Sequence, residues 1–405
     1  SPSPAAVVAH LHQQAGAPVV WLDDGDRAVI GWAPSAIAAG ADWRAAGRRL
    51  AADTGGGVLG FVGFGAGHRV EAVPAEGTVP EGESWLGRFD GLLRSDGHRW
   101  VATGPAAFRR EAEALLASTP PLPAVPHPPL RPRRTVDRHA YEASVQRIRD
   151  LLHAGDAYQI NLTRPVWVDG IPNAAEAFAC YRRLRARSPA AHGAWLHLGD
   201  AQILSNSPEL LLAVDGADLR SDPIKGTRPV HPDPVIDASL VADLMSAAKD
   251  HAELTMIVDL VRNDLGRVAA PGTVRPGPRR HTAHRTVHHT SQAVTARLAP
   301  HLDPWDALGA LFPPGSVTGA PKVRACQRIA QLEPHPRGVY CGTIGGHFDD
   351  GTARWSVAIR TAVVHAGSAR YHVGGGIVVD SDPSDEWDET EHKGRALAWA
   401  LAGAS

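Results

Sequence analysis

Seven prolines fall within the eighteen positions 119–136 (Thr-Pro-Pro-Leu-Pro-Ala-Val-Pro-His-Pro-Pro-Leu-Arg-Pro-Arg-Arg-Thr-Val), and that run constrains the chain more than any other feature. Proline lacks an amide donor and locks φ, so such a stretch cannot be a helix interior or a central strand. It is a connector, or equally a strap lying across the surface. It divides the 405 residues into a region 1–118 and a region 137–405, the second dense in recognisable features.

Around that run the composition is ordinary for a globular protein, 43% hydrophobic and 21% charged. With 41 basic and 43 acidic side chains and no Lys/Arg-rich stripe, nothing attracts nucleic acid. No apolar run approaches the ~20 residues that cross a bilayer, so no membrane role is expected. Ser1 to Ala9 lacks the basic start and apolar core of a secretory leader. Cys180, Cys326 and Cys341 form no CxxC pair, which points to a reducing, cytoplasmic setting.

Strand-like runs occur at Pro18 to Leu22, Ala28 to Trp32, Tyr158 to Thr163, Ala201 to Leu204, Leu210 to Val214, Gly338 to His347, Ala353 to Val364 and Arg370 to Val378. Helical spacing predicts helices at Arg138 to His153, about Ala238 to Asn263 and about Ser384 to Ala402. The long middle helix is expected to bury Leu240, Leu244, Ala247, Ala248, His251, Leu254, Ile257, Val258 and Val261. Strands and helices are unevenly interspersed, so the expected class is α+β with large, mostly antiparallel sheets flanked by helices. The glycine run from Gly55 to Gly65 fails the dinucleotide spacing, because His68 stands where the third glycine is required. It reads as a bulged strand and turn where backbones approach closely.

Four features can carry chemistry. Asp250 and Glu253, and separately Glu386 and Glu389, are three apart on helices and so share a face. Two such faces meeting would suit Mg²⁺; apart, they are solvated faces with local salt bridges such as Glu389 with Lys393. In Asp222-Pro223-Ile224-Lys225-Gly226-Thr227, Lys225 sits on constrained backbone, either an exposed turn lysine or a desolvated nucleophilic amine. The loop Gly315-Ser316-Val317-Thr318-Gly319-Ala320-Pro321-Lys322 is not a P-loop, yet it offers amides, hydroxyls and a cation to an anion. Gly374-Gly375-Gly376 could let backbone N–H groups approach a carboxylate. The histidines His281, His284, His288 and His289 have no cysteine or acid to complete a zinc set, and one of them is a candidate substrate contact.

In their order along the chain, several stretches resemble the chorismate-binding enzymes, the family of anthranilate, aminodeoxychorismate, isochorismate and salicylate synthases. These are Tyr158-Gln159-Ile160-Asn161-Leu162, Ser207-Pro208-Glu209, Pro223 to Thr227, Ala252-Glu253 running into Met256 to Asp264, Gly315 to Lys322, Ala358-Ile359-Arg360-Thr361, and Gly374 through Thr390. They cover about two-thirds of the chain, and the resemblance makes 137–405 a chorismate-binding catalytic domain.

Two positions sort the branches. The hydrating isochorismate and salicylate enzymes place a lysine where this chain has Gln159, and glutamine cannot deprotonate water. Anthranilate synthases carry alanine where this chain has Lys225, whereas the aminodeoxychorismate-forming branch carries lysine. The resemblance therefore implies a Mg²⁺-dependent transferase acting on chorismate and ammonia, with anthranilate formation as the alternative. Glu253 and Glu389 would hold the metal, with Asp250 and Glu386 supporting through waters. Lys225 would be the nucleophile and Glu209 the general acid. Thr227, His289, Tyr340, Arg360, Gly374, Gly375, Gly376 and Lys393 would surround the substrate. Ammonia would come from a separate glutamine amidotransferase subunit, and the product would feed p-aminobenzoate and folate or a specialised metabolite. Two departures stand out: Gly346 replaces a bulky residue, and Thr290-Ser291-Gln292 replaces a more apolar run.

Overall fold

Runs rich in β-branched and aromatic residues form strands that assemble, among the described residues, into two large sheets and a small one. The computed structural model describes residues 1–14, 16, 18–25, 27–40, 42–52, 55–283 and 287–403. The larger sheet has eleven strands, in spatial order Gly319–Ala320, Gln159–Asp169, Ser368–Ile377, Thr361–His365, Ala201–Ser207, His192–His197, Val19–Asp24, Arg27–Trp32, Leu92–Ser95 and Trp100–Thr103, with Arg133–Thr135 also paired to Gln159–Asp169. The second has nine: Arg275–Pro276, Val294–Arg297, Asp218–Asp222, Leu210–Asp215, Ala353–Val357, Thr343–Phe348, Gly57–Val62, Ser84–Phe89 and Ala36–Ala39. Ile224–Pro229, Val287–Ser291 and Arg280–Ala283 form the third. The pairings are antiparallel, as the α+β expectation requires.

Alternation along each strand builds three cores. Between the sheets lie Val20, Leu196, Ile203 and Val363 from one and Leu59, Phe61, Phe89 and Ile344 from the other. On the far side of the larger sheet, Trp21, Trp195, Leu204 and Tyr371 pack against Phe178, Leu184, Leu397 and Leu401 of helices Ala174–Arg187 and Pro383–Ala402. Beyond the second sheet, Val58, Leu212 and Trp355 meet Ile257, Val261, Trp305 and Leu308 of helices Ala248–Gly266 and Pro304–Leu311. The chain before the proline run supplies strands to both large sheets.

The proline run lies along the surface as a strap. Arg131 donates to the carbonyls of Gly170 (2.8 Å) and Leu401 (2.7 Å), and Arg183 donates to that of Pro126 (2.9 Å). In the glycine-rich run, a Cβ on Gly60 would lie 2.0 Å from the Trp85 carbonyl oxygen, so close backbone approach is the reason for glycine. The Gly346 departure has a packing partner: a Cβ there would meet Leu59 Cδ2 at 2.4 Å, so Leu59 occupies that space.

Three expectations need correction. The helix expected from 238 to 263 is two, Pro234–Ser246 and Ala248–Gly266, because Ala247 takes extended backbone (φ −60°, ψ 110°). Ser246 donates its hydroxyl back to the carbonyls of Ala242 and Asp243, closing the first helix. Leu244, Leu254, Ile257, Val258 and Val261 are buried, whereas Ala248 and His251 are exposed. The run Ala353 to Val364 is also two strands, in different sheets, since the chain turns at Arg360 with φ +51°. The strand expected from Gly338 starts at Thr343, after a turn in which Gly338 and Cys341 have positive φ.

A buried arginine ties these parts together. Arg337 is 1% exposed, pairs with Glu333 at 2.7 Å, and donates to Val317 O (2.8 Å) and Asn161 O (2.9 Å). Arg337→Ala strands the buried Glu333 carboxylate and orphans both carbonyls. It should lower the free energy of unfolding by about 3–5 kcal/mol in urea titrations; a loss under about 1 kcal/mol would show that the pair is not structural.

Candidate active site

The site lies where two neighbouring strands change sheets together. The chain leaves the larger sheet after Ser207 and enters the second at Leu210; its neighbour makes the reverse crossing between Val357 and Thr361. Hydrogen bonds stitch the crossings: Val357 N to Glu209 O (3.0 Å), Ser207 Oγ to Val357 O (2.6 Å) and Asn206 N to Arg360 O (3.1 Å). Glu209 and Arg360 thus stand at one seam.

Glu209 is 5% exposed, and burial pushes its carboxyl up to about 7. The nearby Ser316 side chain and the Lys225 charge act downward, while the Asp222 carboxylate acts upward. Lys225 is half-buried on the Ile224–Pro229 strand, and its Nζ donates to Ser316 O at 3.5 Å. The strand is irregular here: Lys225 pairs with Thr290 and Thr227 with His289, with a register shift at Gly226 (φ +70°). Such a bulge re-aims the adjacent side chain. A Cβ on Gly226 would meet Leu244 and the Asp250 carboxyl at 2.8 and 3.0 Å, so the bulge needs glycine. Thr290, in the second departure, donates its hydroxyl to Lys225 O at 2.5 Å and anchors the bulge.

His289, Thr227 and Arg360 form a chain. Thr227 Oγ1 lies 3.0 Å from His289 Nδ1, and Arg360 Nη2 lies 3.5 Å from His289 Nε2. Burial lowers the Arg360 pKa. Tyr340 is buried and stacked on His372 at 5.4 Å, and burial raises its phenol well above 10, with Cys341 and Glu333 adding to the rise and Arg337 opposing it.

The acidic couples sit on helices Ala248–Gly266 and Pro383–Ala402. Glu386 is 4% exposed; Ser381 Oγ donates to its Oε1 (2.6 Å), while the buried Oε2 has no hydrogen-bond partner. Burial raises its pKa and the neighbouring Glu389 adds to the rise. Glu389 is about half exposed and pairs with Lys393 Nζ at 2.5 Å; Lys393 pulls its pKa down, with Lys225 and Lys249 helping. The charge of Lys249, in the first turn of Ala248–Gly266, acts in the same direction on both glutamates. Lys393 also donates to Gly374 O at 3.0 Å. Asp250 is engaged by Arg228 at 3.2 Å, and Glu253 is half-buried on the same helix.

The glycine run serves two faces. A Cβ on Gly375 would lie 2.9 Å from Glu386 Oε2 and 3.5 Å from Glu389 Oε1, whereas one on Gly376 would lie 1.8 Å from Gln159 Nε2. Gln159 is fully buried with both amide ends unpartnered. Among the described residues no three His, Cys, Asp or Glu side chains are already grouped to hold a metal. The donors nonetheless fit a hard cation of the Mg²⁺ type, which takes one or two carboxylates and keeps waters and substrate oxygens. An orphaned buried oxygen on Glu386 faces the Gly375 gap beside a second carboxylate.

Lys322 is not available to a ligand: it is 8% exposed and paired with the buried Asp264 at 2.7 Å. The histidines divide. His288 turns away from the site to Asp237 (2.9 Å) and His281 (2.9 Å), and His284 lies outside the described residues. Cys180, Cys326 and Cys341 are buried, and burial raises each thiol, to about 11, 12 and 12.

Residues 9–398 match the family described as chorismate binding enzyme. The chain belongs to that family. It is 38% identical to anthranilate synthase component 1 of Streptomyces coelicolor over 86% of this chain and 73% of the relative. It is equally 38% identical to aminodeoxychorismate synthase component 1 of Klebsiella aerogenes, over 84% and 75%. Against the aminodeoxychorismate synthase of Streptomyces pristinaespiralis it is 39% identical and spans about half the relative's length, 52%. Anthranilate synthase component I from Streptococcus pneumoniae superimposes with a TM-score of 0.82 at 27% identity, covering 93% of this chain and 92% of that one. No helix among the described residues is long and apolar enough to cross a membrane.

Sequence reasoning passed over Ser316, Thr290, Asp222 and Arg337 as individual site residues. Ser316 lay in a loop already marked, but spacing could not separate it from Thr318, whose hydroxyl is used on Pro314 O and Gly315 O.

The Glu209 proton gives a stability test. The folded chain holds it up to about 7, whereas an exposed glutamate releases it near 4.5. Between those values the folded state binds more protons than the unfolded one, so stability falls as pH rises through this window and levels off above it. Glu209→Gln should remove that slope, giving a variant about 3 kcal/mol more stable than the parent at pH 8 and similar near pH 4.5. Parallel urea titrations check this; identical slopes would show that Glu209 ionises normally.

Proposed function

We propose that the chain forms 4-amino-4-deoxychorismate from chorismate and ammonia, the ammonia supplied by a separate glutamine amidotransferase subunit. The observation that carries this reading is Lys225, held on the Gly226 bulge beside the buried carboxyl of Glu209. The naming of relatives as component 1 supports a second subunit.

In this reading the Lys225 amine forms a bond to ring carbon 2. The ring electrons shift toward carbon 4, the carbon–oxygen bond there breaks, and the Glu209 proton leaves with the hydroxyl as water. Ammonia then bonds to carbon 4, the ring electrons return, the bond from carbon 2 to Lys225 breaks, and a proton from the new ammonium restores the Glu209 acid. A carboxyl that keeps its proton to about 7 is suited to the acid role near neutrality. Arg360, with His289 and Thr227 behind it, would grip the enolpyruvyl carboxylate as a planar fork; Tyr340 would assist from the adjoining turn. Mg²⁺ would be held by Glu253 and Glu389, with Asp250 and Glu386 in support, and would neutralise the ring carboxylate. Lys393, now on Glu389, would adjust to the substrate together with the Gly374, Gly375 and Gly376 backbone.

Anthranilate formation is the second reading, favoured by the equal identity to a Streptomyces coelicolor enzyme of that name. Incubation with chorismate, Mg²⁺ and an ammonium salt separates them. The mass of aminodeoxychorismate is expected, whereas fluorescent anthranilate with pyruvate release would overturn the proposal. Lys225→Ala should lower chorismate turnover at least ~10³-fold. Turnover unchanged in Lys225→Ala excludes the covalent step.

A further inference from the structure

Where the Ile224–Pro229 strand bulges, two successive carbonyls are met by two successive side chains of Val287–Ser291. Thr290 Oγ1 donates to Lys225 O at 2.5 Å. His289 Nδ1 donates to Gly226 O at 3.2 Å, since a carbonyl can only accept. Thr290 is fully buried and is the direct cross-strand partner of Lys225, with His281 on its other side. Between the two carbonyls Gly226 keeps φ +70°, and Leu244 and Asp250 close the space where a side chain would go. The far end of Lys225 is held more loosely: its Nζ reaches Ser316 O only at 3.5 Å, the outer limit of a hydrogen bond. A four-carbon stem with a loosely held tip takes its direction from its root.

We propose that Thr290 is a positioning residue for the Lys225 amine: its hydroxyl fixes the Lys225 carbonyl at the bulge and so sets the direction in which the lysine side chain leaves the strand. This inference rests on the proposed nucleophilic role of Lys225. The Lys225 carbonyl belongs to the rigid peptide plane that links Lys225 to Gly226, a residue type free to take many backbone conformations. Holding that plane removes the freedom and fixes where the Cβ of Lys225 points. An apolar side chain of the same shape would fill the volume of Thr290 but leave the carbonyl without this donor. The hydroxyl is spent on backbone and is not offered to substrate. Its effect therefore falls on the reacting geometry, in kcat more than in KM.

The experiment uses the full chain with chorismate, Mg²⁺ and an ammonium salt at one fixed pH. It compares the parent with Thr290→Val, Thr290→Ala, Thr290→Ser and Lys225→Ala, each checked for a cooperative urea transition. For Thr290→Val, the same shape without the donor, kcat should fall about tenfold with KM for chorismate within about twofold, as expected when one buried hydrogen bond that fixes a reacting group is lost. Thr290→Ser keeps the hydroxyl and should stay within about threefold of the parent kcat, a rescue that separates the hydrogen bond from packing. Thr290→Ala carries the test should the valine variant not fold, with kcat again expected to fall. A serine variant as slow as the valine one overturns the proposal, and so does a rise in KM with kcat unchanged. If Lys225→Ala turns over like the parent, the nucleophilic role of Lys225 fails and the Thr290 proposal with it. If Lys225→Ala is slow while Thr290→Val, or Thr290→Ala in its place, keeps the parent kcat, only the Thr290 proposal fails.

Discussion

Two adjacent strands exchange sheets at the same level, and the site depends on that exchange. Each sheet alone would continue its ladder past residues 207 and 361; the crossing opens a gap between them. Backbone groups freed there are re-paired across it, from Val357 to Glu209 and from Asn206 to Arg360. The gap is deep enough to desolvate a carboxyl, and a carboxyl without water holds its proton far above its ordinary range. The same gap holds Arg360 in left-handed backbone, a conformation that non-glycine residues keep only where surroundings enforce it.

The helix break at Ala247 has a comparable consequence. In an unbroken helix Asp250 would lie mid-helix; the break places it in the first turn of a new one, where the helix dipole favours anions. Pro383–Ala402 begins the same way, with Asp385 and Glu386 in its first turn. Both helix starts bear carboxylates, and the charges of lysines 393, 225 and 249 lower the pKa of Glu389. Glu386 keeps an unpaired oxygen because the approach of Gly375 removes any side chain that could have met it.

Much of this was legible in the sequence because the chemistry sits on short motifs whose order along the chain is itself informative. The structure sets Lys225 near Glu209, Thr227 and Arg360 against His289, and Glu386 near Glu389 and Lys393. What was not legible has a common cause. Strand periodicity records alternation but not which sheet a strand joins, so Ala353 to Val364 looked continuous although it crosses between two. Helical periodicity passed through Ala247 because alanine is compatible with either side of the break. Lys322 looked like a ligand cation, since nothing local reveals that Asp264, 58 residues earlier, already holds it.

The two departures from the family pattern show the same limit from the other direction. Gly346 looks like a missing side chain only while its neighbours are unknown; Leu59, paired with it across the ladder, fills the space. Thr290 looks like a loss of apolar packing, yet its hydroxyl secures the carbonyl of Lys225, where a register shift leaves the backbone in need of a donor. In both places the residue type follows from a partner distant in sequence. Gln159 follows the same logic: its neutral amide and the missing side chain of Gly376 occupy one volume. A lysine in that slot would bring a charge into a fully buried space, a cost that the amide avoids.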